Sequence, residues 1–586
     1  MRKEICEMKI RKQSRVFEAI LGIVFAALLC AGAFAPASAI AGSCDTSFFQ
    51  SIGLPNDTVF DSATPQSIPI GHCEVIGRIN PRTGVNGQHY AIGFRLRLPD
   101  PDDWNESFYF QGGGGTDGTL GDALGNGAMA MGYAVVSTDA GHDNAANFDP
   151  NAGGTAAFGL DPQARIDYGY NALDQVTQTA KIIINSYYHP DHHIVHSYFV
   201  GCSNGGRQGM IAAQYFPTYF DGIVAGSPGF DLPKAAVAEA WNEQALAPLA
   251  TSLSAQGQPY LVDTFTDGDL ALASNAILKA CDALDGLRDG IVDNSSACTD
   301  EVVYWKLNAI QCRGPKTDSC LSRGQVVALE KIYAGPKNSR GKPLYTDWQW
   351  DAGISGFTSL RLWSLGYPAA PNTNTALNLT LGGGSLPHVF VTPPDVTPLN
   401  ALEEYIFHFD FDRDAPKIFQ TSGIYTQSSM EFMTALSTDL SAFKKHGGKM
   451  ILYHGNSDGV FSSHDTINWY EAMDERMNGN AESFVRLFLV PGMGHCGGGP
   501  GTTQFDAFMS LVDWVEGGHA PGSITATAPP GTPWPGRTRP LCPYPEQARY
   551  KGTGNIEDAS SFICKPPAHR HGHDFDHDFD YNHRDY

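Results

Sequence analysis

A mostly parallel α/β sheet, interrupted by one long insertion, is the fold class this sequence predicts, and three observations predict it. From Cys73 to about Ala225, β-type runs alternate with helical stretches. After Pro228 the alternation stops for some two hundred residues, to about Leu436, in short helices and Gly-, Pro- and Asn-rich loops. It resumes at Lys449-Met-Ile-Leu-Tyr-His454 and Arg486-Leu-Phe-Leu-Val490. A sheet interrupted and then resumed reads as one domain carrying a large inserted lid. Two domains in tandem are the alternative, and each would hold an incomplete sheet.

The chain opens with Arg2, Lys3, Lys9, Arg11, Lys12 and Arg15, followed by an apolar run from about Ala19 to Phe34. Ala37-Ser-Ala39 then offers a cleavage site, with Ala39-Ile-Ala41 as a second choice. A membrane anchor would need a longer run than this. We read residues 1–39 as a cleaved signal peptide, which makes the mature protein secreted or periplasmic, with no membrane association after cleavage. The net charge of −23 excludes a nucleic-acid partner, whose binders carry basic patches. Removal of Cys6 and Cys30 from twelve cysteines leaves ten: 44, 73, 202, 281, 298, 312, 320, 496, 542 and 564. An even count in an oxidising compartment predicts five disulfides, and counting does not give their connectivity. Short loops favour Cys281–Cys298, Cys312–Cys320 and Cys542–Cys564, whereas Cys202 and Cys496 have no close neighbour.

Phe94-Arg-Leu-Arg-Leu98 alternates with period two, as a half-exposed strand does. Phe108-Tyr-Phe110 runs into Gly112-Gly-Gly-Gly115, and Tyr133-Ala-Val-Val136 leads to Thr138-Asp-Ala-Gly-His142. Residues Tyr170 to Tyr187 place apolar side chains at 173, 176, 180, 183 and 184 on one helical side. Tyr198-Phe-Val200 then meets Gly201-Cys-Ser203-Asn-Gly205 and a helix-like segment toward Tyr215. Strand, G-x-S-x-G, helix is the nucleophile elbow of the α/β-hydrolase fold. The glycines leave room for a sharp turn that lifts the Ser203 hydroxyl. The turn also presents the Asn204 N–H, at a helix start, to a developing oxyanion.

A serine hydroxyl needs a base, and the base needs an orienting carboxylate. Asp458, in Tyr453-His-Gly-Asn-Ser-Asp458, and His495, in Pro491-Gly-Met-Gly-His-Cys496, follow the resumed strands in the order Ser, Asp, His. Taken alone, either could be a plain loop residue. Cys202 precedes Ser203 and Cys496 follows His495, so a serine and histidine within hydrogen-bond reach would bring the two cysteines close enough to bridge. The glycine run offers a second oxyanion donor at Gly113, with Gly114 next in line, and no Lys-Ser/Thr follows to make it a phosphate loop. In Cys281-Asp-Ala-Leu-Asp-Gly-Leu-Arg-Asp-Gly-Ile-Val-Asp293, carboxylates at Asp282, Asp285 and Asp289 can wrap a hard cation. Carbonyls of Leu287 and Ile291 could complete a calcium shell; a solvated acidic turn is the other reading.

The Cys202-Ser203, Asp458 and His495-Cys496 signature resembles the tannase/feruloyl esterase family over nearly all of the mature chain. The resemblance implies an α/β-hydrolase fold with a large inserted lid domain, a Cys202–Cys496 disulfide, and a structural Ca2+ in the lid on Asp282, Asp285, Leu287, Asp289 and Ile291. It also carries Leu232, Trp363, His454 and Phe461 into the substrate pocket, where Trp363 and Phe461 could sandwich an aromatic ring. The implied partition is 40–229 and 437–566 for the hydrolase domain, 230–436 for the lid, and 567–586 for a His/Asp-rich disordered tail. His571, His573, His577 and His583 give that tail a metal-binding alternative. The expected activity is carboxylic ester hydrolysis of a small aromatic ester, of feruloyl, galloyl or terephthalate type. No Lys or Arg lies between Leu362 and Asp412, so a substrate carboxylate buried there would lack a cation. Neutral or phenolic acyl groups are therefore expected over terephthalate half-esters. A half-ester hydrolase, a serine peptidase and a non-catalytic esterase-like binding protein are the alternatives.

Overall fold

The computed structural model describes residues 42–190 and 192–567, so the signal-peptide and histidine-tail readings fall outside the described residues. Nine strands form the main sheet: β1 (Thr58–Gln66), β2 (His72–Thr83), β3 (His89–Pro99), β4 (Ser107–Gln111), β5 (Ala134–Thr138), β6 (His196–Cys202), β7 (Gly222–Gly226), β8 (Lys449–Gly455) and β9 (Val485–Val490). Their order is β1-β2-β3-β5-β4-β6-β7-β8-β9. The β1 to β3 meander pairs antiparallel and joins β5 antiparallel, and every pair from β5 to β9 is parallel. The parallel strands read as unbroken apolar runs because helices cover both faces. β5 and β7 are buried at every position.

Helix α1 (Ala172–Tyr188) buries Leu173, Val176, Ala180, Ile183 and Ile184, the positions that the apolar spacing assigns to one side. Each large apolar residue so enclosed contributes about 1.5–3 kcal/mol. A charge at Ile183, which is fully buried, would remove that contribution and strand an ion in the core. Helix α2 (Asn204–Tyr215) follows β6 directly, and α3 (Leu232–Leu246) leaves the end of β7. β7 and β8 are adjacent partners, Gly222 opposite Lys449 and Gly226 opposite Tyr453, although residues 227–448 separate them in sequence. Those residues include α4 (Asp267–Cys281) and α5 (Arg323–Tyr333), both opened by reciprocal capping boxes, at Thr266/Asp269 and Ser322/Gln325. They also hold three wide-turned helical segments, Phe357–Leu365, Asn378–Gly382 and Leu386–Phe390. Such widened turns are rare and concentrate at functional sites.

Five disulfides close the described chain: Cys44–Cys73, Cys202–Cys496, Cys281–Cys298, Cys312–Cys320 and Cys542–Cys564. Among the described residues no helix is long and apolar enough to cross a membrane. Disulfides in this number belong to an extracellular or periplasmic setting.

Candidate active site

Ser203 sits between β6 and α2 with φ 65° and ψ −125°, a strained backbone for any residue with a Cβ. The strain is held from both sides. A Cβ on Gly201 would lie 2.6 Å from the Gly205 carbonyl carbon, and one on Gly205 would lie 2.6 Å from the Gly113 carbonyl oxygen. The Ser203 N–H is tied to the Gly226 carbonyl at 2.9 Å, which fixes the elbow to β7. Ser203 Oγ donates to His495 Nε2 at 2.8 Å, and His495 Nδ1 donates to Asp458 Oδ2 at 2.7 Å. The histidine loop is positioned by its own N–H, which donates to Thr358 O at 3.0 Å. The Cys202–Cys496 disulfide joins the two residues that flank Ser203 and His495.

Asp458 is buried, which alone would raise its pKa, but the neighbouring His495 and His454 outweigh burial and hold it below the usual carboxylate range. The N–H groups of Val460 and Phe461 both donate to its Oδ1 at 3.0 Å. It is therefore an ionised carboxylate with a fixed orientation, as an orienting group requires.

Trp363 and Phe461 stand edge-on to the His495 ring, with centroids 4.7 and 5.3 Å away. Both are brought to the reacting histidine, and Leu232 starts α3 three residues after Gly229, whose N–H donates to Ser203 O at 3.3 Å. His454 is enclosed beside the triad carboxylate. It is fully buried, its Nε2 donates to Phe461 O at 3.1 Å and lies 3.4 Å from Asp458 Oδ2, and its Nδ1 accepts from Thr466 Oγ1 at 2.8 Å. The carbonyl partner requires the proton on Nε2, so this imidazole supports the triad carboxylate from behind.

The glycine loop is held by a residue that sequence reasoning missed. Asp117 is buried, and its Oδ1 accepts the Gly114 N–H at 2.9 Å. Its Oδ2 accepts from Asn204 Nδ2 and Gln208 Nε2, each at 2.8 Å. Burial pushes its pKa up to about 7, against the pull of Arg207 and of these three donors. Gln208 Oε1 in turn accepts the Gly113 N–H at 2.9 Å. The Asn204 amide opens α2, where a helix start leaves N–H groups without intrahelical partners, and the Gly113 amide is engaged by the Gln208 side chain. The only sequence signal for Asp117 was its place in Gly115-Thr-Asp-Gly118, directly after the glycine run.

In the lid, Asp282 Oδ1 accepts the N–H groups of Asp289 and Gly290 at 3.1 Å, and Asp285 Oδ1 accepts Leu287 N–H at 2.8 Å. Burial, with repulsion from Asp289 and Asp282, pushes Asp285 up to about 6. Asp293, two residues past Ile291, keeps a buried Oδ2 with no hydrogen-bond partner among the described residues. Crowded carboxylates and carbonyls in one turn fit a hard cation in donor chemistry. Against this, Arg539 already pairs with Asp289, Arg537 Nη1 donates to Asp289 O at 2.7 Å, and Arg549 donates to Asp285 O. No group of three or more His, Cys, Asp or Glu side chains gathers at metal-holding distance among the described residues.

The family model described as tannase and feruloyl esterase matches residues 73–565. The mono(2-hydroxyethyl) terephthalate hydrolase of Piscinibacter sakaiensis is 49% identical over 519 residues, 85% of each chain. A probable feruloyl esterase of Arthroderma benhamiae is 32% identical over 507 residues, covering 82% of this chain and 83% of its own. The crystal structure of feruloyl esterase B from Aspergillus oryzae superposes with a TM-score of 0.66 at 24% identity, over 89% of this chain and 99% of that one, which speaks for the fold.

Proposed function

The chain belongs to the tannase and feruloyl esterase family and is a carboxylic ester hydrolase acting on esters of aromatic acids, and we propose that it does so as an exported enzyme through an acyl-enzyme on Ser203. The observation that carries this reading is the Ser203–His495–Asp458 chain of 2.8 and 2.7 Å contacts on a strained elbow. Ser203 Oγ attacks the ester carbonyl while His495 Nε2 takes its proton, and Asp458 stabilises the imidazolium. The Asn204 and Gly113 amides receive the oxyanion. His495 then protonates the leaving alcohol, and water returns along the same path to release the acid. Trp363 and Phe461 flank the imidazole and enclose the aromatic acyl ring, with Leu232 at the start of α3.

The test is a set of initial rates on paired benzoate-type esters that differ only in a free para-carboxylate, with S203A as blank. Neutral or phenolic esters should be turned over faster. Preference for the carboxylated ester would favour a second reading, as a terephthalate half-ester hydrolase, which the identity to the Piscinibacter sakaiensis enzyme supports. Absence of any Ser203-dependent rate would overturn the function. A matched amide separates esterase from peptidase.

A calcium ion held by Asp282, Asp285, Asp289 and the carbonyls of Leu287 and Ile291 would neutralise the lid's like charges and stabilise that loop. It supplies no step of the reaction, because among the described residues no hydrogen bond or ion pair joins the loop to the triad. Chelation should lower the melting temperature by several degrees, with kcat unchanged well below the transition. Loss of activity with an unchanged melting curve would refute a structural role.

A further inference from the structure

Glu239 is a buried acid that the proposed chemistry does not use. α3 leaves the protein core from a point tied to the nucleophile, since Gly229 N–H donates to Ser203 O. On this helix Leu232, Ala236, Glu239 and Glu243 recur at three- and four-residue spacing and share one face. Ala236 is small, and Glu239 follows Leu232 by about 10 Å along the axis. Opposite this face stands the wide-turned lid segment Asn378–Gly382. Glu239 Oε2 lies 2.0 Å from where a Cβ on Gly382 would sit, so the glycine lets the carboxyl rest against the lid backbone. The Tyr168 hydroxyl donates to Gly115 O at 3.0 Å. Leu381 Cδ1 is 3.8 Å from a Cβ position on Gly115. The Glu239 carboxyl thus lies against the lid segment whose Leu381 reaches the loop that borders Ser203.

Its partners are what set it apart. Glu243, one turn further on, accepts from Asn378 Nδ2 at 2.9 Å, and Asn378 also reaches Ser364 Oγ at 3.1 Å, beside Trp363. Glu239 is 6% exposed and makes no hydrogen bond among the described residues. A buried polar group without a partner is costly and rare, and it needs an explanation. Burial pushes its pKa up to about 8, so near neutral pH the group is an uncharged acid with one donor and spare acceptors. A phenolic hydroxyl has the same double character. A carboxylate would instead require a cation, and residues 362–412 contain none.

Building on the ester-hydrolase reading above, we infer that Glu239 is a specificity-determining residue at the far end of the acyl site, and that it pairs with a ring hydroxyl of a phenolic acyl group.

The experiment measures kcat and KM of the full chain on methyl cinnamate and methyl 4-hydroxycinnamate, for the parent, E239Q and E239L, with S203A as blank and a melting curve for each. The parent should favour the hydroxylated ester in kcat/KM by at least about tenfold, the worth of one buried hydrogen bond. E239L should collapse that ratio toward one, while E239Q, whose amide still donates and accepts, should keep most of it. Equal kcat/KM for the two esters in the parent overturns the inference without needing any variant. So does an unchanged ratio in E239L. No Ser203-dependent rate on either ester would overturn the function itself, an outcome distinct from a rate that ignores Glu239.

Discussion

Asp458 and Glu239 are both enclosed carboxylates, one at the end of β8 and one on α3 in the lid, and their ionisation moves in opposite directions. Asp458 receives two backbone N–H groups and faces two imidazoles; Glu239 receives nothing. Burial raises both alike, so the difference lies in the partners. The sheet end keeps a charge because it has assembled the donors for it. The lid keeps an acid neutral because it has left that place open.

The sharpest way to break the first half of the comparison is D458N, which preserves shape and removes the charge. It should lower kcat by about 10⁴-fold, since the imidazole loses the acceptor that fixes its tautomer. A loss under tenfold would mean that His454 or another group orients His495. Next comes Asp117, a buried carboxylate of mixed character with three donors and a pKa near 7. D117N turns an amide toward Asn204 Nδ2 or Gln208 Nε2, donor against donor. We expect kcat to fall by about 10²-fold with a smaller change in KM, as a displaced oxyanion donor does. An equal effect on binding would place Asp117 in the pocket rather than beneath the oxyanion loop.

The smallest effect sharpens the other half. Glu239 has an unfolded pKa near 4.5 and a folded one near 8. Between those values the folded state holds more protons, so its contribution falls as pH rises from about 4.5 to about 8. Asp458 works the other way, and its contribution is lost only as pH drops below the ordinary carboxylate range. E239Q should therefore gain melting temperature over the parent by a few degrees at pH 8 relative to pH 5. Parallel melting curves across that range would mean that Glu239 is ionised in the fold.

The triad was legible in the sequence because each member lies in a short stretch at a strand end, where motif and position coincide. Residues Ser203 and His495 were further marked by the cysteines beside them. The apolar spacing of α1 was legible for the same local reason. The Cys44–Cys73 pairing was not, because counting cysteines carries no distances. Asp117 and Glu239 were hidden more deeply. Asp117 acts on residues 87 and 91 positions away, and Glu239 meets Gly382 across the lid, so no spacing within one stretch records either contact. Sequence resemblance brought His454 to the neighbourhood of the triad, where it is buried between Asp458 and the Phe461 carbonyl.

The pairing of β7 with β8 has a consequence for how such a protein can change over time. The strands meet edge to edge, yet residues 227–448 lie between them. The entropy of closing a loop grows only with the logarithm of its length, about 0.6 kcal/mol for each doubling. A lineage could lengthen, shorten or replace this cassette at little thermodynamic penalty while the register of the two strands, and with it the catalytic geometry, stayed the same. The chemistry is inherited in the sheet, and the diet is rewritten in the insertion.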